Sequence, residues 1–251
     1  MDMVFFPEGD TFEELFVRDF FDRFVDELGE LVPFMTYSDD GINFIYAIHD
    51  SLVGGDKIME LVIGSIGSIM EVTIITGATH LHVSDDDRWV VIDQAIDHIR
   101  DYLVGGFCSV LYLEAGEHEQ PPIYEIDGQD LYYAGGTTLE IEEGEDLEGR
   151  IEMELRNFRG GYVMVEKLDM NRFFVGRMGE DGLEILKEEA IFDHEVTPIK
   201  ALQDGPLGEI LKHVGKELAY PGSVDHGALR EMLLRLDGDS RRELEGRMGF
   251  H

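Results

Sequence analysis

Cysteine is almost missing from this chain of 251 residues; Cys108 is its one thiol, which excludes a disulfide framework and any zinc site assembled from several thiolates. Basic side chains are scarce as well, with 20 Lys plus Arg against 54 Asp plus Glu and a formal net charge of -34. A field of that sign repels nucleic-acid phosphate and anionic membrane surfaces, so neither is an expected partner. Long apolar runs are lacking too. Glu60 and Glu71 interrupt the most hydrophobic stretch and leave too short a clean span for a membrane helix. The opening Met1-Asp2-Met3-Val4-Phe5-Phe6-Pro7 has neither the basic leader nor the apolar run of a signal peptide, which predicts a cytoplasmic protein. No Gly-x-Ser-x-Gly elbow occurs, and Gly64-Ser65-Ile66-Gly67-Ser68 lacks the Gly-Lys-Ser/Thr ending of a P-loop, so it reads as a turn or bulge.

What is there suffices for a core. Hydrophobic residues make up 43% and aromatics 10%, enough to offset the entropy of ordering a chain long enough for one large domain or two small ones. The acid is unevenly spread along the sequence. Residues 1–149 hold 34 acids and 5 bases, a net of -29; residues 150–251 hold 20 acids and 15 bases, a net of -5. Adaptation to a salt-rich cytoplasm predicts acid on every exposed surface. The nearly balanced tail and 20 Ile argue against it, while 6 Lys against 14 Arg argue for it. The asymmetry predicts instead an acidic region that draws in a basic protein at rates that fall with salt.

Periodicity predicts an α+β fold: an N-terminal helix, a mostly antiparallel sheet with a middle helix, then a second β-hairpin region with C-terminal helices. Thr11 and Glu14 form a capping-box pattern ahead of an apolar stripe, Phe12, Leu15, Phe16, Phe20, Phe24 and Leu28, that reads as a core face ended by Gly29. Strands are expected at 35–37, 42–48, 58–63 and 69–76. Ser84-Asp85-Asp86-Asp87 opens a helix whose stripe is Ile92, Ala95, Ile96, Ile99, Tyr102 and Leu103, ended by Gly105-Gly106. A strand at 107–113 and a hairpin around Asp127-Gly128 follow. Ile151, Met153 and Leu155 alternate with Glu152, Glu154 and Arg156, the pattern of a half-buried strand. Hairpin strands at 172–178 and 183–186 lead to helices at 207–220 and 228–236. The expected domains are 1–134, acidic and α+β, and 150–251, joined by a Gly-flanked acidic linker or loop at 135–149. Ile48-His49-Asp50-Ser51-Leu52-Val53-Gly54-Gly55 matches Ile99-Arg100-Asp101-Tyr102-Leu103-Val104-Gly105-Gly106 at six of eight positions; a true repeat would make 41–53 helical.

Candidate chemistry is sparse. His80-Leu81-His82 points two imidazoles to one side of a strand end, with Asp85 as a carboxylate within reach, as a divalent metal requires. The pair resembles the opening of the His-x-His-x-Asp-His pattern of metallo-β-lactamase-like hydrolases, yet Ser84 and Asp85 stand where that pattern has Asp and His. Both downstream ligands are therefore absent and the family is not assigned. The plainer reading puts Leu81 and Val83 inward, the histidines in solvent, and Asp85, Asp86 and Asp87 at the helix cap. Cys108 reads as an inert core thiol. Glu117-His118-Glu119, Asp193-His194-Glu195 and Asp237-Gly238-Asp239-Ser240 follow no ligand spacing, and Arg230, Arg235, Arg241, Arg242 and Arg247 read as a solvated face.

No catalytic residue and no cofactor is expected. The leading expectation is a non-enzymatic acidic protein that recognises a basic protein partner, as an immunity protein or antitoxin, a secretion chaperone or a nucleic-acid mimic. The candidate contacts are Asp85, Asp86, Asp87, Glu140, Glu142, Glu143, Glu145 and Asp146. The alternative is a metal-dependent hydrolase using His80, His82 and Asp85.

Overall fold

The computed structural model of the protein describes residues 7, 9–40, 42–49, 57–66, 68–76, 79–103, 107–116, 119–141, 145–157, 161–167, 172–179, 181–190, 206–238 and 241–242. Among them stand five α-helices, one 3-10 helix and eleven strands in two antiparallel sheets, a mixed α+β fold in the anticipated order.

Helix α1 (Phe12–Leu28) starts as its residues dictate. Thr11 Oγ1 accepts the Glu14 N–H at 3.2 Å, and the Glu14 carboxylate accepts the Thr11 N–H at 2.8 Å, closing the capping box. Gly29 does not act as a left-handed stop: its φ of -58° is right-handed, and the backbone tightens into a 3-10 helix, Gly29–Phe34. The first sheet follows in sequential order, β1 (Met35–Asp39), β2 (Phe44–His49), β3 (Lys57–Ile66), β4 (Ile69–Thr76) and β5 (Thr79–Asp85). Residues 64–66, expected in a turn, extend β3 and pair with β4. Tyr46, Ile48, Leu61, Ile63, Val72 and Ile74 bury one face of this sheet, and Phe21 of α1 stacks on Tyr46 with centroids 5.4 Å apart. Helix α2 (Arg88–Leu103) buries its whole expected stripe.

The second sheet runs β11-β10-β9-β6-β8-β7, from β6 (Phe107–Ala115), β7 (Tyr124–Ile126), β8 (Gln129–Glu140), β9 (Tyr162–Lys167), β10 (Arg172–Gly179) and β11 (Gly182–Ala190). Asp127 and Gly128 take φ of 52° and 76° between paired Ile126 and Gln129, the double left-handed turn that suits a tight hairpin. Cys108 and Val110 face helix α3 (Leu147–Asn157), while Leu111 and Leu113 face the other side, as the two-residue period of a strand requires.

Helix α3 is a correction. The segment expected as an alternating strand buries Leu147, Ile151 and Leu155, spaced by four, and leaves Met153 half exposed. An apolar residue every second position and one every fourth coincide at Leu147, Ile151 and Leu155; only Gly149 and Met153 tell the periods apart. The segment 135–149 is likewise no free linker. Residues 135–140 complete β8 and pair with β6 as far as Phe107–Glu140, and 147–149 open α3; 142–144 lie outside the described residues. Ile48-His49 is strand and Ile99-Arg100 helix, so the repeat, which needed a helix over 41–53, is not present.

Helices α4 (Pro206–Ala219) and α5 (His226–Arg235) follow, with Leu207, Ile210 and Leu211 packed against Phe34 and Leu236. Helix α4 lies directly on the 3-10 helix: a Cβ at Gly215 would collide with the carbonyl of Gly29. Two compact units result, one holding Met1–Thr76, Leu81–Arg100 and Thr197–His251, the other Gly77–His80 and Asp101–Val196. Both are discontinuous, so no single cut, at 135–149 or elsewhere, separates them.

That discontinuity redistributes the charge. The first unit contains 30 acids and 13 bases and the second 24 acids and 7 bases, a net of -17 in each. The difference of -29 against -5 along the sequence disappears once the base-rich C-terminal helices are counted with the unit they fold into.

Candidate functional site

The acids singled out at the end of β5 are turned to local work. Asp85 Oδ1 accepts the Asp87 N–H at 2.9 Å, and Asp87 Oδ1 accepts the Trp89 N–H at 3.0 Å while its carbonyl takes the Val91 N–H at 3.2 Å. Asp87 is thus the cap of α2, and the hydrogen bond donated by the Asp87 backbone, then one shared with the Asp86 side chain, hold the Asp85 carboxyl below its usual range. Asp86 is exposed. Glu140 ends β8 in solvent; Glu145 and Asp146 are exposed ahead of α3, where the Asp146 carbonyl accepts the Arg150 N–H at 3.0 Å. Glu142 and Glu143 lie outside the described residues, as do residues 117–118, 191–205 and 239–240 of the minor clusters.

His80 and His82 are exposed on β5, with Val83 buried and Leu81 half-buried, as alternation requires. His82 Nδ1 lies 3.1 Å from both Thr73 Oγ1 and Glu71 Oε1, on the neighbouring strand. Asp85 is engaged at the helix cap instead. Among the described residues no three His, Cys, Asp or Glu side chains are placed to hold a metal ion. Ser65, in the segment that lacks the P-loop ending, donates to the Glu13 carboxylate at 2.9 Å, so an anion there would meet like charge. Cys108 is buried.

Every basic residue of 1–149 is engaged within the first unit. Arg18 donates to the carbonyl of Gly9 at 2.7 Å, and Lys57 pairs with Glu60 at 2.7 Å. The other three join α1 to α2: Arg88 to Asp19 at 2.8 Å, Arg23 to Asp93 at 3.3 Å, and Arg100 to Glu27 at 3.0 Å, with Arg100 also on Asp97 at 2.8 Å. These pairs ascend together along both helices, so α1 and α2 run in the same direction side by side. Exposed pairs of this kind stabilise by at most about 1 kcal/mol each, but they fix which flanks face one another. Of the other acids of the pair, Asp26 on α1 stands in solvent, while Asp22, also exposed, accepts a hydrogen bond from the Tyr220 hydroxyl. Residues 9–28 and 85–100 hold 12 acids against four bases.

Sequence reasoning missed the apolar end of this helix pair. Phe12 and Leu15, counted in the core stripe, are 49% and 37% exposed, and Trp89 and Val90 at the start of α2 are 49% and 37% exposed. Helical geometry at 100° per residue supplied the signal for Leu15, which lies opposite the face formed by Phe16, Phe20 and Phe24. Trp89, the chain's single tryptophan, likewise falls outside the stripe of α2.

Among the described residues, Glu30 is the acid that is buried. It is 2% exposed in the 3-10 helix, and its nearest cation, Lys212 Nζ of α4, lies 3.9 Å away. Its Oε2 has no hydrogen-bond partner among the described residues, and burial pushes its carboxyl above the usual range despite Lys212 and Arg100.

No helix among the described residues is long and apolar enough to cross a membrane. Comparison with models of known protein families, with curated proteins and with solved structures finds no match.

Proposed function

We propose that this chain is a non-enzymatic acidic binding protein whose partner is a basic protein. The observation that carries the reading is the uncompensated acid: a net of -17 in each unit, with every basic residue of 1–149 already held by a carboxylate or carbonyl of its own unit. Such a surface attracts cationic partners over several ångströms and repels phosphate backbones. Toxin neutralisation, chaperoning of a basic secreted protein and mimicry of nucleic-acid phosphate all use that property. The test is affinity capture from a native lysate at low and at moderate salt. One basic protein retained at moderate salt in fixed stoichiometry supports the reading; recovery of no basic protein at either salt, or only an indiscriminate set at low salt, removes it.

A further inference from the structure

Four of the exposed large apolar side chains cluster by position at the N-terminal ends of α1 and α2. Trp89, Asp93 and Arg100 share one flank of α2 at intervals of four and seven residues. Asp93 and Arg100 reach α1 through their ion pairs, so the indole lies on the flank nearest α1. The guanidinium of Arg88 sits 5.1 Å from the indole centroid while pairing with Asp19, one turn after Leu15. Side chains on a helix lean toward its N-terminus, which brings the indole back toward the turn that carries Leu15 and Phe12. C-terminal to this apolar end the same two helices expose Asp26, together with Asp93 and Asp97, which they share with Arg23 and Arg100; Asp22 is taken by the Tyr220 hydroxyl.

We propose that this end of the helix pair is the docking surface for a basic amphipathic segment of the partner, with Leu15 and Trp89 as apolar anchors and Asp26, Asp93 and Asp97 as the flank that receives Lys or Arg. The proposal rests on the reading of the chain as a binder of a basic protein, and gives that partner a place and a chemistry. Charge complementarity selects the occupant. A second copy of this chain, at -34, and an anionic membrane would both set acid against acid, whereas an apolar stripe edged with cations satisfies both halves of the surface. Large aromatic anchors ringed by polar groups are where binding energy concentrates.

Trp89 is a built-in reporter, because the full chain holds one tryptophan. The probe is a Trp-free synthetic helix of about five turns with leucines on one face and lysines on the other, beside a permuted peptide of equal composition with no apolar face. Anisotropy of a label on the peptide reads binding anywhere; Trp89 emission reads binding here. The amphipathic peptide is expected to bind and blue-shift Trp89, and to bind about tenfold or more weakly to Leu15→Ser, to Trp89→Ala and to the double variant Asp93→Asn/Asp97→Asn. The permuted peptide should bind at least about tenfold more weakly to the unaltered chain. Leu15→Ser and Trp89→Ala are made separately, at exposed positions, so a folding defect in one leaves the other to decide. Peptide binding that leaves Trp89 emission and all three variants unchanged overturns the surface while leaving the basic-partner reading intact. Absence of binding by either peptide at low salt overturns both, and Trp89-dependent self-association in sedimentation assigns the surface to a second copy instead.

Discussion

At the scale of single residues, Glu30 shows burial prevailing over pairing. Its carboxylate is closed off from water where α4 meets the 3-10 helix, and Lys212 at 3.9 Å is too distant for a hydrogen bond. Facing it are Lys212 and Glu209 of α4 and Arg100 of α2, and the desolvation exceeds what the two cations return. A carboxyl whose folded pKa is raised binds its proton more tightly in the folded state. Its contribution therefore favours folding below the unfolded carboxylate range and is lost as pH rises through the folded value. Glu30→Gln, neutral throughout, should melt higher than the unaltered protein near neutral pH, with the gap closing toward about pH 4; each kcal/mol is worth about 2–4 °C in a chain of this size. Thermal melts across that range check it, and a gap that does not change with pH would count against it. Asp87 and Thr11 make the opposite case. Both are exposed, both satisfy backbone N–H groups of a helix start, and both were readable from sequence because capping depends only on neighbours within three residues.

At the scale of elements, α1, α2, α4 and the hairpins followed from local pattern, whereas α3 did not. Alternation over 151–156 was equally compatible with a strand and with a helix entered from Leu147, and the packing of α3 against β10 and β11 decided it. Substitution separates the two. Ile151→Ala should destabilise by about 2–5 kcal/mol in a denaturant titration, as a fully buried side chain would. Met153→Glu should stay within about 0.5 kcal/mol, as expected of an exposed helix former. Equal, large losses at both positions would restore the strand. The apolar stripe of α1 was misjudged for a related reason. Phe12 and Leu15 fit a list of apolar residues on a helix, but their angular position puts them on the outer side, and that side became the candidate interface.

At the scale of the whole molecule, the charge acquires a different meaning. Along the sequence it was asymmetric, which argued against salt adaptation; across the compact units it is even, which removes that objection. Self-repulsion of -17 in each unit is screened as salt rises, from a Debye length of about 30 Å at about 0.01 M to about 3 Å at about 1 M. Calorimetry over that range should therefore show the melting temperature rising with NaCl for the chain as a whole, in one transition or in two alike. A rise confined to one of two transitions would return the excess acid to one unit.

The sequence by itself determined the α+β class, the N-terminal caps of α1 and α2, the Asp127-Gly128 turn and the buried stripe of α2, because each depends on residues a few positions apart. It also determined the total charge and excluded disulfide and multi-thiolate chemistry. Only the tertiary structure decided that 135–140 pairs as strand and 147–149 opens a helix, that 151–156 is helical, and that His82 sits against Thr73 and Glu71 of the neighbouring strand. It alone brought the C-terminal helices into the first unit, where their bases even out a charge that the linear chain keeps apart. The physical reason is common to all of these: they depend on which distant segments meet, and a local period carries no record of that.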